Sequence, residues 1–283
     1  MDDGPAVPDT IATYYKVVAT LGRGSFGHVV KAVDTRTGVR VAIKLEEKHA
    51  EYPQLLYEAR ILEQLGHNRG IPELYWYNSF QSWNVLVMPL LGISLEADRL
   101  ASGGTLPIVK LIDIAQQGLD RLRTLHEKGW AYRDIKPENF VWHRSHGKTI
   151  LYLIDFGLCK RMIYPGTSFH ITNRSGKTLT GTPRYASLHA HSGIEQSRRD
   201  DVESFVYMLI YLAKGALPWQ RLPPSKTPGS ENNFAKIAAC KNSINLDVLC
   251  EGLPPGCKKT LQYARALEFE DMPDYTYMDR LWK

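Results

Sequence analysis

The spacing of apolar and polar residues predicts a strand-rich beginning and a helix-rich remainder. Three stretches rich in β-branched and aromatic residues, separated by glycine-containing turns, predict strands at residues 14–21, 28–33 and 39–45. Leucine and alanine recur at helical spacing over residues 53–65, so a helix is expected there, with Pro53 near its first turn. Strand character returns at residues 74–80 and 84–87.

Helical spacing dominates the rest of the chain. A long apolar stripe over residues 108–122 predicts one helix, and a further helix is expected over residues 258–267. Residues 202–213 are apolar on nearly every face, which predicts a helix that is buried all round. Residues 218–233 contain four prolines and favour a surface excursion.

These elements predict an α+β fold. A small antiparallel sheet with one helix forms an N-lobe at residues 11–90, and it is joined to a larger, mainly helical C-lobe at residues 91–283. The two lobes together form one domain over residues 11–283.

Composition narrows the class of protein. Apolar residues make up 43% of the 283 residues and charged residues 23%, which is typical of a globular protein and excludes general disorder. No run approaches about eighteen apolar residues, so no membrane-spanning helix is expected. Four cysteines without Cys-x-x-Cys spacing indicate free thiols in a reducing compartment, the cytoplasm, with the nucleus as an alternative. The net charge of +5 favours acidic or phosphorylated partners and is too small to indicate nucleic-acid binding.

The first motif with chemical meaning is a G-x-G-x-x-G run at Gly22, Gly24 and Gly27. Glycines allow the backbone to approach phosphate oxygens and present N–H groups to them. A dinucleotide-binding fold would require a helix directly afterwards, whereas a strand is predicted here. By itself, the motif is equally compatible with a glycine-rich hairpin turn.

A lysine in the next strand adds to this motif. Val41-Ala42-Ile43-Lys44 matches the V-A-I-K pattern. The lysine of this pattern pairs both with the α- and β-phosphates of ATP and with an acidic residue on the neighbouring helix. Glu58 is the candidate partner, and Glu63 is a poorer second because it lies nearer the helix end.

Two further motifs follow the long helix. Residues 132–139, YRDIKPEN, match the catalytic loop H-R-D-L-x-x-x-N in all but two positions. Asp134 would accept the substrate hydroxyl proton, Lys136 would steady the transferring phosphoryl group, and Asn139 would bind a metal ion. Asp155 opens an Asp-Phe-Gly motif and would hold the Mg²⁺ that bridges the β- and γ-phosphates. The order and spacing of the four motifs predict a bilobal protein kinase fold that uses ATP and Mg²⁺.

Further strings resemble one family, casein kinase 1. They are PQL at 53–55, LLGxSLE at 90–96, GTxRYAS at 181–187, GIEQSRRDD at 193–201, LPWQ at 217–220 and FEDxPDYxY at 269–277. The resemblance covers about residues 11–280. The string at 193–201 is the most specific, because most other kinases carry an A-P-E motif in this region.

The resemblance implies where the nucleotide binds. Met88 would lie beside the adenine, which would hydrogen-bond to the Pro89 carbonyl and the Leu91 N–H. Proline at position 89 should not prevent this, since the hinge uses only a carbonyl there. The complete set of implied ATP-binding residues is Leu21, Gly22, Gly24, Ser25, Gly27, Val29, Ala42, Lys44, Glu58, Met88, Pro89, Leu91 and Asp155, with Asn139 and Asp155 as metal ligands. Asp201 would brace the catalytic-loop backbone, and Arg265 would be a structural arginine.

The resemblance also implies a class of substrate. The family phosphorylates serine or threonine that is preceded, three residues upstream, by a phosphorylated residue or a cluster of acids. Lys177, Arg184 and Lys226, with the Gly215 backbone, match the positions of the family's anion site. The partners expected are therefore acidic or primed proteins, bound by a monomeric enzyme. Residues 226–233 are less basic than the family's usual stretch, which puts secondary anion contacts and a nuclear-import signal in doubt.

Two alternative functions belong to other classes of protein. A pseudokinase acting as a binding or scaffold module is the main alternative, although Lys44, Asp134, Asn139 and Asp155 are all present. A small-molecule phosphotransferase is disfavoured by the platform at residues 181–185, which receives an extended peptide in protein kinases. The histidine pairs at 143 and 146 and at 189 and 191 lack the cysteines or carboxylates that a metal site requires.

Overall fold

The computed structural model describes residues 5–24, 27–145, 147–222 and 230–283. The chain divides into two compact units. Unit 1 contains the chain up to Gly92 together with Ile154–Gly157, and unit 2 contains Ile93–Leu153 and Leu158–Lys283. The lobe division between residues 90 and 91 stays a prediction, since the compact units divide after Gly92 and return four later residues to unit 1.

Unit 1 is built on an antiparallel sheet of six strands. They are β1 (Thr10–Ile11), β2 (Tyr15–Gly24), β3 (Gly27–Asp34), β4 (Arg40–Glu47), β5 (Trp76–Phe80) and β6 (Trp83–Pro89). Their order in the sheet is β1-β2-β3-β4-β6-β5. Most neighbours in the sheet are neighbours along the chain, which is typical of antiparallel hairpins joined by short turns.

One face of this sheet forms an apolar core. Alternate residues of β3, β4 and β6 point to this core. Val30, Ile43 and Val85 among them are completely buried, and so is Ile11 of β1. The opposite face carries Lys44, because strand side chains alternate between the two faces. Helix α1 (Leu55–Leu65) packs on this second face.

The start of α1 is capped from the sheet. Gln54, at the N-cap, makes no side-chain hydrogen bond to the helix. The Glu46 carboxylate of β4 instead accepts the main-chain N–H groups of Gln54 at 2.5 Å and Leu55 at 2.9 Å. A carboxylate suits a helix N-terminus because the exposed N–H groups there carry partial positive charge. The cap ties the position of α1, and of Glu58 one turn later, to β4.

Unit 2 is mainly helical. Its helices are α2 (Leu95–Ala101), α3 (Ile108–Glu127), α4 (Leu188–His191), α5 (Arg198–Lys214), α6 (Ser230–Ser243), α7 (Leu246–Leu249), α8 (Pro255–Ala266) and α9 (Tyr275–Leu281). Short 3₁₀ turns lie at Pro137–Asn139 and Pro218–Arg221. Strand β7 (Trp130–Ala131) pairs with β10 (Lys160–Arg161), and β8 (Phe140–Ser145) pairs with β9 (Lys148–Leu153), both antiparallel.

Helix α5 lies at the centre of unit 2. Its residues from Arg198 to Leu212 are buried, polar ones included. The Asp200 carboxylate accepts the Ser197 main-chain N–H at 2.7 Å at the start of the helix. The helix ends at Gly215, whose left-handed φ of 76° and N–H bond to the Tyr211 carbonyl are typical of a C-cap. The prediction of a helix buried all round is confirmed.

The predicted helices at residues 53–65, 108–122 and 258–267 are also confirmed, as α1, α3 and α8. The surface excursion predicted over residues 218–233 is wrong at Trp219, which is buried and whose indole N–H bonds the Arg184 carbonyl at 2.7 Å. Residues 223–229 of this stretch lie outside the described residues, and residues 230–233 belong to α6. All four cysteines are free thiols. Among the described residues, no helix has the length and apolarity needed to cross a bilayer.

Candidate active site

The glycine run of unit 1 lies at the β2–β3 hairpin. Gly22 pairs with Val29, and Gly24 pairs with Gly27. Gly27 has a φ of 121°, and a Cβ atom there would lie 1.9 Å from the Leu45 carbonyl oxygen. Only glycine allows this close approach to β4. Ser25, predicted to contact the nucleotide, lies outside the described residues.

Strand pairing brings several predicted nucleotide contacts to one face of the sheet. Val29 of β3 lies opposite Lys44 of β4, and Ala42 of β4 lies opposite Met88 of β6. Residues directly opposite across antiparallel strands share a face, as do residues two apart along a strand. Val29, Ala42, Lys44 and Met88 therefore share the face on which α1 packs.

The predicted hinge residues follow from the end of β6. Pro89 pairs with Val41 as the last residue of the strand, and it is half-buried, as is Leu91. Leu21 of β2 is about half exposed, at 51%. The bonds that the resemblance assigns to Pro89 and Leu91 stay predictions.

Lys44 lies between two carboxylates of unit 1. Its Nζ atom is 2.7 Å from Glu58 Oε1, 2.9 Å from Glu58 Oε2 and 3.1 Å from Asp155 Oδ1. The Phe156 main-chain N–H also donates to Glu58 Oε1 at 3.4 Å, which links α1 to the Asp-Phe-Gly segment. Glu58 is the partner of Lys44, as the sequence predicted.

Burial and charge act in opposite directions on this group. Burial lowers the pKa of Lys44, but the Glu58 and Asp155 carboxylates outweigh it and raise the pKa above its ordinary value. Burial also raises the pKa of Glu58, and Asp155 adds to this while Lys44 opposes it. The ammonium is therefore a fixed positive charge, and two negative groups hold it in place.

A cavity of about 150 Å³ opens beside this ion group. Residues Gly27 to Val29 of β3 line it together with Lys44, Glu58 and Asp155. Glycine backbone and a fixed ammonium provide the donors that phosphate oxygens require.

The catalytic-loop residues of unit 2 surround Asp134. Its Oδ2 accepts from Lys136 Nζ at 2.6 Å and from Asn139 Nδ2 at 3.3 Å, and its Oδ1 accepts from the Thr182 hydroxyl at 2.9 Å. Asn139 Nδ2 also donates to the Asp134 carbonyl at 3.0 Å. The three predicted catalytic residues, Asp134, Lys136 and Asn139, are thus in direct contact.

The loop backbone is strained and braced. Arg133 has a φ of 70°, in the left-handed region that costs a non-glycine residue about 1–2 kcal/mol. The buried Asp201 of α5 accepts the Arg133 N–H at 2.7 Å on Oδ1 and the Tyr132 N–H at 2.6 Å on Oδ2. The bracing role predicted for Asp201 is confirmed.

A histidine and a tyrosine extend this brace. His126 Nε2 lies 2.9 Å from Asp201 Oδ2, and Tyr275 Oη is bonded to His126 Nδ1. Burial lowers the pKa of His126 while Asp201 opposes the shift, so the ring is neutral. Because a carboxylate only accepts, the proton lies on Nε2, and Nδ1 accepts from the tyrosine hydroxyl. No chemical role was predicted for either residue from the sequence, in which Tyr275 is only part of the family-like string at residues 269–277.

Oxygen ligands suitable for Mg²⁺ are present in both units. Asn139 directs its amide nitrogen to Asp134, which leaves its carbonyl oxygen as the ligand atom. Asp155 supplies a carboxylate that is 40% exposed. Mg²⁺ prefers such hard oxygen donors, usually one or two protein groups completed by phosphates and water. The two residues fit the predicted metal role.

The predicted anion-site residues fall into two groups in unit 2. Lys177 lies in a cavity with Lys160 and Arg174, and both lysines pair with Glu195, at 3.5 Å and 2.6 Å. The Arg184 guanidinium instead lies over the ring of Tyr211. Tyr211 belongs to α5 and lies one turn before Gly215, the cap of that helix. Lys226 lies outside the described residues.

Arg265 has the structural role that the sequence assigned, and its glutamate partner is Glu203 of α5. Arg265 Nε lies 3.4 Å from Glu203 Oε1, and its Nη2 donates to the Tyr207 hydroxyl at 2.7 Å. In His191, weighed as a metal ligand, Nε2 accepts from Lys241 Nζ at 3.1 Å, and the Pro183 carbonyl oxygen lies 3.3 Å from the same nitrogen. No cluster of histidine, cysteine and carboxylate side chains suited to a metal ion occurs in the described part of the chain.

Comparison with known families agrees with this geometry. The family model described as the protein kinase domain matches residues 15–251. The chain belongs to the protein kinase family. The α+β fold predicted from the sequence is confirmed, with an antiparallel sheet and one helix in unit 1 and the other helices in unit 2. Kinases of this family transfer phosphate from ATP to proteins and use Mg²⁺.

Proposed function

We propose that this kinase is an active serine/threonine kinase of the casein kinase 1 type, which phosphorylates acidic or phosphate-primed proteins. The observation that carries the proposal is the Asp134 cluster, in which Lys136 and Thr182 each engage one carboxylate oxygen. A pseudokinase that only binds partners is the alternative. It is disfavoured because the residues that bind and transfer phosphate are all present in contacting groups.

The contact with Thr182 supports serine or threonine as the acceptor. Thr182 belongs to the segment at residues 181–187, and its hydroxyl donates to Asp134 Oδ1 at 2.9 Å. Its main chain therefore lies within the length of a threonine side chain from the carboxylate. A substrate backbone that runs along this segment would bring a short hydroxyl side chain to Asp134, whereas a tyrosine hydroxyl stands several ångströms farther from its own backbone.

The contacts support a proposed role in the reaction for each residue. Lys44, held by Glu58, would bind the phosphates of ATP as a fixed positive charge. Asp134 would orient the acceptor hydroxyl and take its proton, while Lys136 would stabilise charge on the transferring phosphoryl group. Asp155 and Asn139 would hold Mg²⁺, which neutralises phosphate charge when bound. Positioning and charge neutralisation supply most of the acceleration in phosphoryl transfer.

Arg184 is the residue that we propose recognises the upstream phosphate or acid. Its guanidinium lies over the Tyr211 ring and donates to the Tyr185 hydroxyl, which uses one of its five N–H donors. The Gly215 main chain is the other contact that the resemblance implies for this anion, and its N–H bonds the Tyr211 carbonyl. Priming should outrank acidity, because a phosphate carries about −2 charge and three acceptor oxygens.

The test compares peptides that differ in one position. A serine peptide with phosphoserine three residues upstream is compared with its aspartate, alanine and lysine counterparts, and with matched threonine and tyrosine acceptors. We expect kcat/KM to fall from phosphoserine to aspartate to alanine and lysine, with tyrosine at background. Asp134→Asn should bind ATP but lose turnover, which controls for a contaminating kinase.

Preference for lysine would contradict the anion site, and equal use of tyrosine would contradict the acceptor class. Absence of turnover with every peptide, with ATP binding intact, would favour the pseudokinase. The free thiols are consistent with a reducing compartment, and we propose the cytoplasm.

A further inference from the structure

Lys241 of α6 is completely buried, with 0% of its surface exposed. Its Nζ atom lies 2.6 Å from the Ala186 carbonyl, 2.9 Å from the Pro183 carbonyl and 3.1 Å from His191 Nε2. The rings of Tyr207 and Trp219 each lie 5.0 Å from the same atom. Burial of an ammonium group is costly, so its three hydrogen bonds and two ring contacts are what make it tolerable.

The two carbonyls flank Arg184. Lys241 bonds the main chain on the N-terminal side at Pro183 and on the C-terminal side at Ala186. Trp219 bonds the carbonyl of Arg184 itself at 2.7 Å. Three of the four consecutive carbonyls from residue 183 to residue 186 are thus held by side chains from outside the segment.

The opposite end of the segment is fixed to the catalytic loop. Thr182, next to Pro183, donates to Asp134. Because Thr182 is fixed to Asp134 by its own hydrogen bond, displacement of the main chain at residues 183–186 would change the position of Arg184 rather than the contact with Asp134. Lys241 contacts this main chain from the protein interior. Because it is buried, it cannot contact the substrate.

We infer that Lys241 is a positioning residue that fixes the main chain on both sides of Arg184 and thereby sets the affinity for the anionic group of the peptide substrate. This inference rests on the proposed function. It assigns the specificity of the site partly to a side chain that the substrate does not touch.

The surroundings of Lys241 make its charge sensitive to pH. Burial lowers its pKa to about 7, Glu203 of α5 opposes the shift, and Arg265 of α8 adds to it. Cys240 on the same helix also opposes it. On α4, His191 has a pKa lowered to about 4 by burial and then by Lys241, so it stays neutral near pH 7. The bonds to the two carbonyls are charge-assisted below about pH 7 and become ordinary amine bonds above it.

The test is a double-mutant cycle on the full chain. Lys241→Met keeps the length of the side chain and removes its donors, and Arg184→Ala removes the anion contact. With the phosphoserine-primed peptide we expect Lys241→Met to raise KM about tenfold, with kcat and the KM for ATP within about twofold. In an Arg184→Ala background the same change should have almost no further effect, because Lys241 acts through Arg184. Additive effects would overturn the inference.

Two further measurements separate positioning from a general loss of structure. Lys241→Arg retains donors and charge, and it should recover part of the lost affinity. In the wild type, KM for the aspartate-primed peptide should rise several-fold from about pH 6.5 to about pH 8.5, since aspartate does not titrate there. A flat profile in protein whose Lys241 loses its proton over this range, as followed by NMR, would contradict the inference even if both Lys241 variants fail to fold.

The same measurements distinguish failure of this inference from failure of the proposed function. If the wild type shows no preference for primed peptides, the proposed substrate class fails. If the wild type prefers them and Lys241→Met retains the same ratio of primed to unprimed kcat/KM, only the role of Lys241 fails.

Discussion

Replacing Asp201 with asparagine tests how the catalytic loop is held in its active form. The carboxylate accepts three hydrogen bonds, from the main-chain N–H groups of Tyr132 and Arg133 and from His126 Nε2. Asparagine is of equal size but has one oxygen and one donating nitrogen. If its oxygen serves Tyr132 and His126, its amide nitrogen faces the N–H of Arg133, and that buried donor loses its partner.

The expected cost can be worked from these contacts. One charge-assisted bond worth about 1.5–3 kcal/mol is lost, and the two remaining bonds become neutral, at about 1 kcal/mol less each. The total is about 4 kcal/mol. This free-energy cost destabilises a loop in which the Arg133 backbone is already strained, at a φ of 70°. Because each 1.4 kcal/mol is about a factor of ten, we expect kcat to fall a hundredfold or more.

Steady-state kinetics with separate variation of ATP and peptide is the assay. The KM for ATP should stay within about threefold, because the Lys44 group lies in the other unit. Tyr275→Phe is the matched control. It removes only the outermost bond of the chain through His126, and kcat should fall less than about fivefold. A kcat within threefold of the wild type for Asp201→Asn, in protein that is folded by circular dichroism, would refute the bracing argument.

Two further predictions concern the segment beside the catalytic loop and the lysine behind it. Gly181→Ala would place a Cβ atom 2.2 Å from the Arg133 carbonyl oxygen at a φ of 91°, so urea titration should show a loss of several kcal/mol and peptide KM should rise. Gly176→Ala, at a similar φ of 75° with no atom within 4 Å, should cost about 1 kcal/mol. For Lys241, a folded-state pKa of about 7 against 10.5 means that the unfolded chain binds the proton more tightly between these values. The stability of the wild type relative to Lys241→Met should therefore rise by about 2–3 kcal/mol from about pH 6 to about pH 9.

Equal losses for the two glycine variants would show that backbone strain, rather than contact with Arg133, decides the first result. A stability difference between wild type and Lys241→Met that is independent of pH would show that Lys241 keeps its charge throughout this range, contrary to the effect of its burial.

The sequence by itself determined the strands and helices with strong periodicity, and it identified the candidate residues for phosphate transfer. The helix over residues 53–65 and the buried helix at 202–213 follow from apolar spacing, which is a local property. Lys44, Asp134 and Asp155 were recognisable because each lies in a short motif of fixed spacing. Lys44 contacts Glu58, the partner that its motif implies.

Only the tertiary structure decided which polar residues support that chemistry. Lys241, His126 and Tyr275 lie in ordinary helical stretches, and their roles arise from partners 50 to 149 residues away. The partner of Lys177 was not predicted either, since Lys177 pairs with Glu195 rather than contacting Arg184 among the described residues. Hydrogen bonds between distant segments leave no periodic signal, since burial of a polar group is satisfied by whichever partner the fold brings within about 3 Å.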